Sequence, residues 1–485
     1  MTIRLIAYAA GLVVLWLLAA RIRSVTTRQR LYLLASYAFS ASWGPCFLIV
    51  LVFSSLMNYG LGQWLKKRTS SGRLWTGIFL NVAVLSIFKY LPLMGTVAGA
   101  GSPLAVVRHI ILPMGVSFWT FQALSYLFDL YREEELDPSL LEFCLYMAFW
   151  PTVLSGPICR MPSMLPQFRQ PWSVKEEDLS IGFHRICVGV LMSVLAGVMG
   201  AGLRAGQGID AGFDQFAGKL SGPDVWCLIV GYGFQLYFDF CGYSHIVIGA
   251  ARLFGIQLHE NFNRPYLSTT PSIFWTRWHM SLSFWIRDYV FLPLATLRRE
   301  VWWRNLSLVI AMFVFGIWHK GSLLFMIWGT YHGLLLVTHR QWQELRKRLG
   351  FAWEGGIATG ISWLLTFSAV CVGYIFFRSD NMTQAFAMLR AIVYPASYRH
   401  FFLPQGFYLM TFLAMGGYFA VVGVSAILDK LQARAAARGK EDLVLLLTSH
   451  RWVWVAPLVI VLGLYLNVIF QPGHAATGPV MYALF

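Results

Sequence analysis

Residues 305–337 read NLSLVIAMFVFGIWHKGSLLFMIWGTYHGLLLV. Arg298, Arg299 and Arg304 precede this apolar run, and His339, Arg340, Arg346, Lys347 and Arg348 follow it. Clustered basic residues beside apolar spans mark cytoplasmic loops. With both flanks on one face, the chain between them must cross an even number of times. As continuous helix the run would extend only about 50 Å at ~1.5 Å per residue. Two helices drawn from it are therefore expected to be short, each below the ~20 residues of a full span. The break falls at His319-Lys320-Gly321. That puts an imidazole at a turn inside the membrane, where irregular backbone is tolerated only if it lines a cavity.

The rest of the chain has the same character. Of its 485 residues, 57% are hydrophobic and only 12% charged, about half the charged share of a soluble domain, roughly a quarter. The net charge of +16 sits in short loops beside apolar stretches, as positive-inside topology requires. No basic stripe with a reading module accompanies it, so nucleic acid is not expected as a partner. The lipid bilayer is. Seven cysteines lie scattered through apolar sequence without a CxxC pair, which argues against a disulfide framework or a zinc site.

The flank argument applies again at residues 31–65. Arg28 and Arg30 precede this stretch, Lys66, Lys67 and Arg68 follow it, and Trp43-Gly44-Pro45 offers a turn near its middle. Two short helices and local membrane thinning are expected there. Ile3 to Ala20 reads as a retained first span. Further spans are expected near 74–95, 105–128, 140–158, 180–203, 224–250, 360–377, 407–428 and 452–470. Residues 262–300 mix Arg, Asp, His, Trp and Pro too densely to cross lipid and read as a re-entrant or interfacial element. Leu431 to Lys440 reads as a surface helix or loop. The sum is an all-α polytopic membrane protein with about 11 or more spans, forming one domain over 1–485.

Ionisable residues at membrane depth usually have a purpose. Asp239 in QLYFDFCGYSH reads most simply as a helix-locking partner of an arginine. Lys89 reads as a snorkelling side chain. His279, His319 and His332 are the informative set, because a neutral imidazole can take a proton from a hydroxyl and return it to a leaving group. His319 stands out through its place at the break, beside Gly321 and Ser322. His332 reads as a core histidine. No GxSxG, P-loop, GxGxxG or HExxH occurs, and no spacing supports a metal site.

Several stretches together resemble one family. Residues 233–294, GFQLYFDFCGYSHIVIGAARLFGIQLHENFNRPYLSTTPSIFWTRWHMSLSFWIRDYVFLPL, are similar to the signature block of the membrane-bound O-acyltransferases. FKY (88–90), ILPMGVSFWTFQALSYLFDLY (111–131), SGPICR (155–160), GIWH (316–319), WGTYHG (328–333) and FFRS (376–379) follow in family order over roughly 30–380. The likeness is to the bacterial branch of alginate O-acetylation and teichoic-acid D-alanylation membrane subunits.

This resemblance implies a helical bundle with short and re-entrant helices around a central funnel, in the bacterial cytoplasmic (inner) membrane. It implies His319 as the essential histidine and His279 as the second catalytic position. Asp239, Asn261, Arg277, Trp278, Ser281, Trp318 and Lys320 are the further candidates for binding substrate or lining the tunnel. It also implies acetyl-CoA as acyl donor, with no bound cofactor, and an exopolysaccharide such as alginate as acceptor. The partner would be an extracytoplasmic protein with a serine-hydrolase-like fold. Lys320 departs from the family's usual Gly after the WH pair; a cation there would lower the base's proton affinity and narrow the passage. D-alanyl transfer to teichoic acid is the alternative within the enzyme class. A transporter without acyl chemistry is the alternative outside it, and would need two related halves with paired broken helices. Cysteines placed at 304 and 346 should react with a membrane-impermeant thiol reagent from the same side; labelling from opposite sides would refute the even-crossing argument.

Overall fold

The computed structural model describes residues 2–98, 106–107, 109–202, 207–216 and 220–438. Among these residues every regular element is helical. In chain order they are α1 (Thr2–Arg21), α2 (Val25–Ser42), α3 (Pro45–Lys67), α4 (Ser71–Lys89), α5 (Leu91–Ala98), α6 (Val116–Tyr131), α7 (Leu140–Ala148), α8 (Met161–Arg169), α9 (Glu176–Ala201), α10 (Ile209–Phe216), α11 (Gly222–Arg252), α12 (Pro271–Trp275), α13 (Met280–Ile286), α14 (Leu292–Ala295), α15 (Val301–His319), α16 (Leu323–Leu349), α17 (Gly356–Arg378), α18 (Met382–Val393) and α19 (Gln405–Ala437). Seven of the described helices, α3, α4, α9, α11, α15, α17 and α19, are long and apolar enough to cross a membrane. This is a multi-pass helical membrane protein.

The chain groups into two compact units. The first holds residues 1–186 and 247–260; the second holds 187–246 and most of 261–485. In the first unit, the turn expected at Trp43-Gly44-Pro45 separates α2 from α3. Gly44 takes φ +146°, with Pro45 opening the next helix, a backbone conformation that side-chain-bearing residues rarely adopt. Asn58 on α3 and Asn81 on α4 exchange amide hydrogen bonds at 3.0 and 2.7 Å, fully buried. Each polar side chain satisfies the other where lipid could not. Glu142 opens α7 with a capping box on Ser139 and pairs with Arg169 of α8 at 2.7 Å. That charge-assisted bond, foremost, holds the Glu142 carboxyl down at about 2.

In the second unit, α15 and α16 form an antiparallel hairpin, and the break lies at Lys320–Ser322. The hairpin is held backbone to backbone. A Cβ added to Gly316 would stand 2.2 Å from the Phe325 carbonyl oxygen. One added to Gly329 would stand 2.2 Å from that of Met312, and one on Gly333 would stand 2.9 Å from the Val309 Cα. Small residues spaced four apart let membrane helices approach this closely. Gly189 of α9 and Gly242 of α11 meet in the same manner, each Cβ position lying within 3 Å of the other's carbonyl oxygen.

The breaks fall where the basic flanks place them; one helix of each pair, α2 with 18 residues and α15 with 19, stays below the ~20 residues of a full span, and its partner does not. α3 has 23 residues, α15 has 19 and α16 has 27, or roughly 34, 28 and 40 Å. The flank argument took the arginines as the ends of the helices. In the structure the helical backbone continues through them, because Arg and Lys are good helix formers. Only α3 and α16 exceed the length of a full span.

Two other spans differ from expectation. Only α7, nine residues long, is helical within 140–158; Pro151 and Gly156 turn the chain there. Within 105–128, helix α6 starts only at Val116, after Gly115 in the left-handed region. Residues 262–300 hold the short α12 and one longer helical stretch, in which a π-helical turn at Arg287–Phe291 joins α13 to α14 without a break; neither is among the candidate spans, which fits a re-entrant or interfacial element. Leu431 continues α19, whose last helical residue is Ala437. The span expected at 452–470 lies outside the described residues.

Gly329→Ala should lower thermal stability by about 1–3 kcal/mol, since the obstructing atom is backbone and cannot rotate away. Gly360→Ala on α17, where nothing lies within 4 Å, should be neutral or stabilising. Thermal unfolding of the two variants in detergent checks this; equal effects would refute the close-contact account.

Candidate active site

His319 is the last residue of α15 and is 3% exposed. Its position follows from the local chain. Lys320 leaves the helix in extended backbone, and Ser322 opens α16, so the chain reverses immediately after the imidazole. The ring is packed among aromatic rings: Trp318 at 4.7 Å, Phe315 at 4.9 Å, Trp328 and Phe377 at 5.3 Å, and Phe325 at 5.9 Å between centroids.

His319 faces a cavity of about 20 Å³ within the second unit. Its other walls include Leu236 of α11, Trp275 and Trp278 of the 262–300 region, Trp328 and His332 of α16, and Tyr374 of α17. Trp328 stands between the two imidazoles, edge-on to His319 at 5.3 Å and to His332 at 5.1 Å. A glycine at position 373 leaves room for His332, whose Nε2 lies 2.7 Å from where a Cβ would be.

The polar groups of the lining are not equivalent. The Gly233 carbonyl can only accept, so the Tyr266 hydroxyl donates to it at 2.5 Å. Tyr374 must then donate to Tyr266 at 2.9 Å, and its proton is committed. The indole N–H groups of Trp275 and Trp328 are different. Both are buried and neither has a hydrogen-bond acceptor. A buried donor left unsatisfied costs about 1–3 kcal/mol. Two such donors on one cavity are matched to an acceptor oxygen that a ligand brings.

The remaining sequence candidates are placed as follows. Trp278 lines the cavity, stacked on Phe274 at 5.6 Å and 18°. His279 does not line it. Its fully buried ring lies edge-on to Phe240 at 4.6 Å, and its backbone is left-handed, φ +42°. A clamp holds that strained turn. The Asn261 carbonyl accepts from the Met280 N–H at 2.8 Å, its side-chain oxygen accepts from the Ser281 hydroxyl at 2.6 Å, and its amide donates to Ser244 at 3.2 Å. Asn261 and Ser281 therefore shape the loop rather than line the cavity. Arg277 joins them through its carbonyl, which accepts from the Asn263 N–H at 3.0 Å. Asp239 is buried on α11 and Trp318 is buried beside His319, both off the cavity lining. Lys320 is exposed and off the lining of this cavity too.

Trp275 and Trp328 are not singled out by the sequence, and His332 is read there as a core histidine. The signal for the last two was present: positions 328 and 332 lie one helical turn apart and share a face.

The family model described as "MBOAT, membrane-bound O-acyltransferase family" matches residues 32–379. The chain belongs to this family. It is therefore a membrane O-acyltransferase, using an acyl donor, and the transporter reading falls. Among its relatives, the "Probable alginate O-acetylase AlgI" of Pseudomonas aeruginosa is 31% identical over 379 residues, covering 75% of this chain and 69% of the relative. The "Peptidoglycan O-acetyltransferase" of Helicobacter pylori is 30% identical over 394 residues, covering 74% and 72%. The "Teichoic acid D-alanyltransferase" of Bacillus subtilis is 27% identical over 345 residues, covering 68% and 82%.

His279→Asn should retain stability better than His279→Val by about 1 kcal/mol or more, because Asn enters the left-handed region readily and a β-branched residue does not. Thermal unfolding of both variants measures the difference. A valine variant as stable as the asparagine variant would show that the turn is not strained.

Proposed function

We propose that this acyltransferase moves an acetyl group from acetyl-CoA towards an extracytoplasmic polysaccharide, with His319 as general base. The observation that carries this reading is the cavity itself: His319 at one wall, two unsatisfied indole donors at others, and space for about one water-sized group. The acceptor hydroxyl gives its proton to His319 as its oxygen bonds to the thioester carbonyl carbon. The carbonyl oxygen, now carrying the negative charge, receives hydrogen bonds from Trp275 and Trp328. Collapse breaks the carbon–sulfur bond, and the leaving thiolate takes the proton from the imidazolium. His279 acts as a positioning residue, holding the turn that carries Trp278.

The lining favours acetyl over D-alanyl. A D-alanyl group carries an ammonium that would need an acceptor or a carboxylate when buried, and none of the residues lining the cavity is acidic. The relatives agree with this order in coverage: the O-acetylating ones match 75% and 74% of this chain, the D-alanylating ones 68% and 62%. The setting of the reaction is the bacterial cytoplasmic membrane. An extracytoplasmic partner with a serine-hydrolase-like fold would place the acetyl group on the polymer.

His319→Ala should abolish O-acetyl groups on the cell's exopolysaccharide, read by mass spectrometry, while membrane insertion is retained; near-normal acetylation would sink the assignment. Loss of D-alanine esters instead would favour the teichoic-acid reading. Trp328→Phe removes one N–H donor and keeps the ring, and should lower kcat about 10²-fold, the scale of losing one oxyanion donor. An unchanged kcat would remove Trp328 from the mechanism.

A further inference from the structure

The first unit contains a second cavity, of about 30 Å³, that the acyl-transfer chemistry does not use. Arg28 and Tyr32 of α2 face it, together with Gln167, Trp172 and the chain at Phe254. Arg28 is only 4% exposed. Its Nη2 donates to the Gln170 carbonyl, whereas its Nη1 is buried without an acceptor. Among the described residues no carboxylate pairs with it, and none of the cavity-lining residues is acidic. The Tyr32 hydroxyl, equally buried, also lacks a partner.

A buried guanidinium without a counter-charge is among the costliest arrangements a protein can hold. Here it shares its void with a second unsatisfied group, the Tyr32 hydroxyl. The void is polar on the Arg28 and Gln167 side and closed by aromatic rings on the other, with Tyr32 and Phe254 at 5.8 Å and Trp172 and Phe254 at 6.3 Å. Arg21, Arg23 and Arg30 flank the same helix start, which places it at the cytoplasmic interface by the positive-inside rule. Anionic headgroups and soluble phosphates are both found at that depth.

The geometry points to a phosphate-binding site at Arg28 and Tyr32, taking one phosphate group into the cavity. Nη1 of Arg28 and the Tyr32 hydroxyl donate to its oxygens, and the guanidinium supplies the opposite charge. The phosphate is either that of an anionic phospholipid or a free one.

The test uses the purified full chain and reads thermal unfolding, not acyl transfer, so its failure leaves the acetyl-transfer reading untouched. In nanodiscs, phosphatidylglycerol should raise the Tm above that in phosphatidylcholine if the phosphate is a lipid's. In detergent, inorganic phosphate should raise it above chloride at matched ionic strength if the phosphate is free. Arg28→Gln should lose the shift, and Tyr32→Phe should need several-fold more of the same probe to reach it. The phenylalanine variant keeps the test decisive if Arg28→Gln does not fold, since only a hydroxyl is removed. No shift in the wild type with either probe, or an unaltered response in Tyr32→Phe, would overturn the proposal.

Discussion

Everything in the second unit rests on how closely α15 and α16 approach. Their contact is made by backbone, through Gly316, Gly329 and Gly333, with no side chain between. In lipid there is no hydrophobic force to press two helices together, so close van der Waals contact of this kind is what holds them. It has a geometric consequence as well. A hairpin this tight must turn within three residues, and the residue at the end of its first arm is His319. The imidazole is placed by the packing of glycines several residues away.

Around that imidazole the chain builds almost wholly from rings. Aromatic walls exclude water and leave few polar groups to compete with a substrate. Of the hydrogen-bonding groups that do line the cavity, Tyr374 is spent on Tyr266, which in turn holds the Gly233 carbonyl. Beside the imidazoles, the indole N–H groups of Trp275 and Trp328 are left without an acceptor. Such a site does not solvate a charge that is already present; it is suited to one that develops on an oxygen during reaction. The strained turn at His279 fits the same scheme, since Asn261 holds it in place and Trp278, the neighbouring residue, forms part of the wall.

Much of this was legible from residue order. Basic flanks on both sides of an apolar run located the breaks at Trp43-Gly44-Pro45 and His319-Lys320-Gly321, because charge at a membrane surface is a strong and local signal. The density of Arg, Asp, Trp and Pro in 262–300 announced a non-spanning element for the same reason. Helix length was legible for α2 and α15 but not for α3 and α16, since a basic residue can end a span without ending a helix. The roles of Asn261 and Ser281 were not legible. Both look like tunnel polar groups in sequence, and only the backbone path shows that they clamp a turn. Trp275 and Trp328 were hidden by abundance: in a chain with 20 tryptophans, sequence cannot say which indole N–H lacks an acceptor. Lys320 follows the buried His319 directly, yet its side chain is exposed, because the chain leaves the helix at that residue.

The cavity walls come from places far apart along the chain: Leu236, then 274–278, then His319, then 328–332, and finally 370–377. A nascent chain that has released α15 into the membrane already carries His319 but has neither Trp328 nor Tyr374 beside it. The enclosure exists only after α17 has left the ribosome and joined the earlier helices. Biosynthesis thus imposes an order in which the imidazole comes first and its shelter last, so that a truncated chain ending after α16 is a membrane protein with the histidine but without the closed cavity.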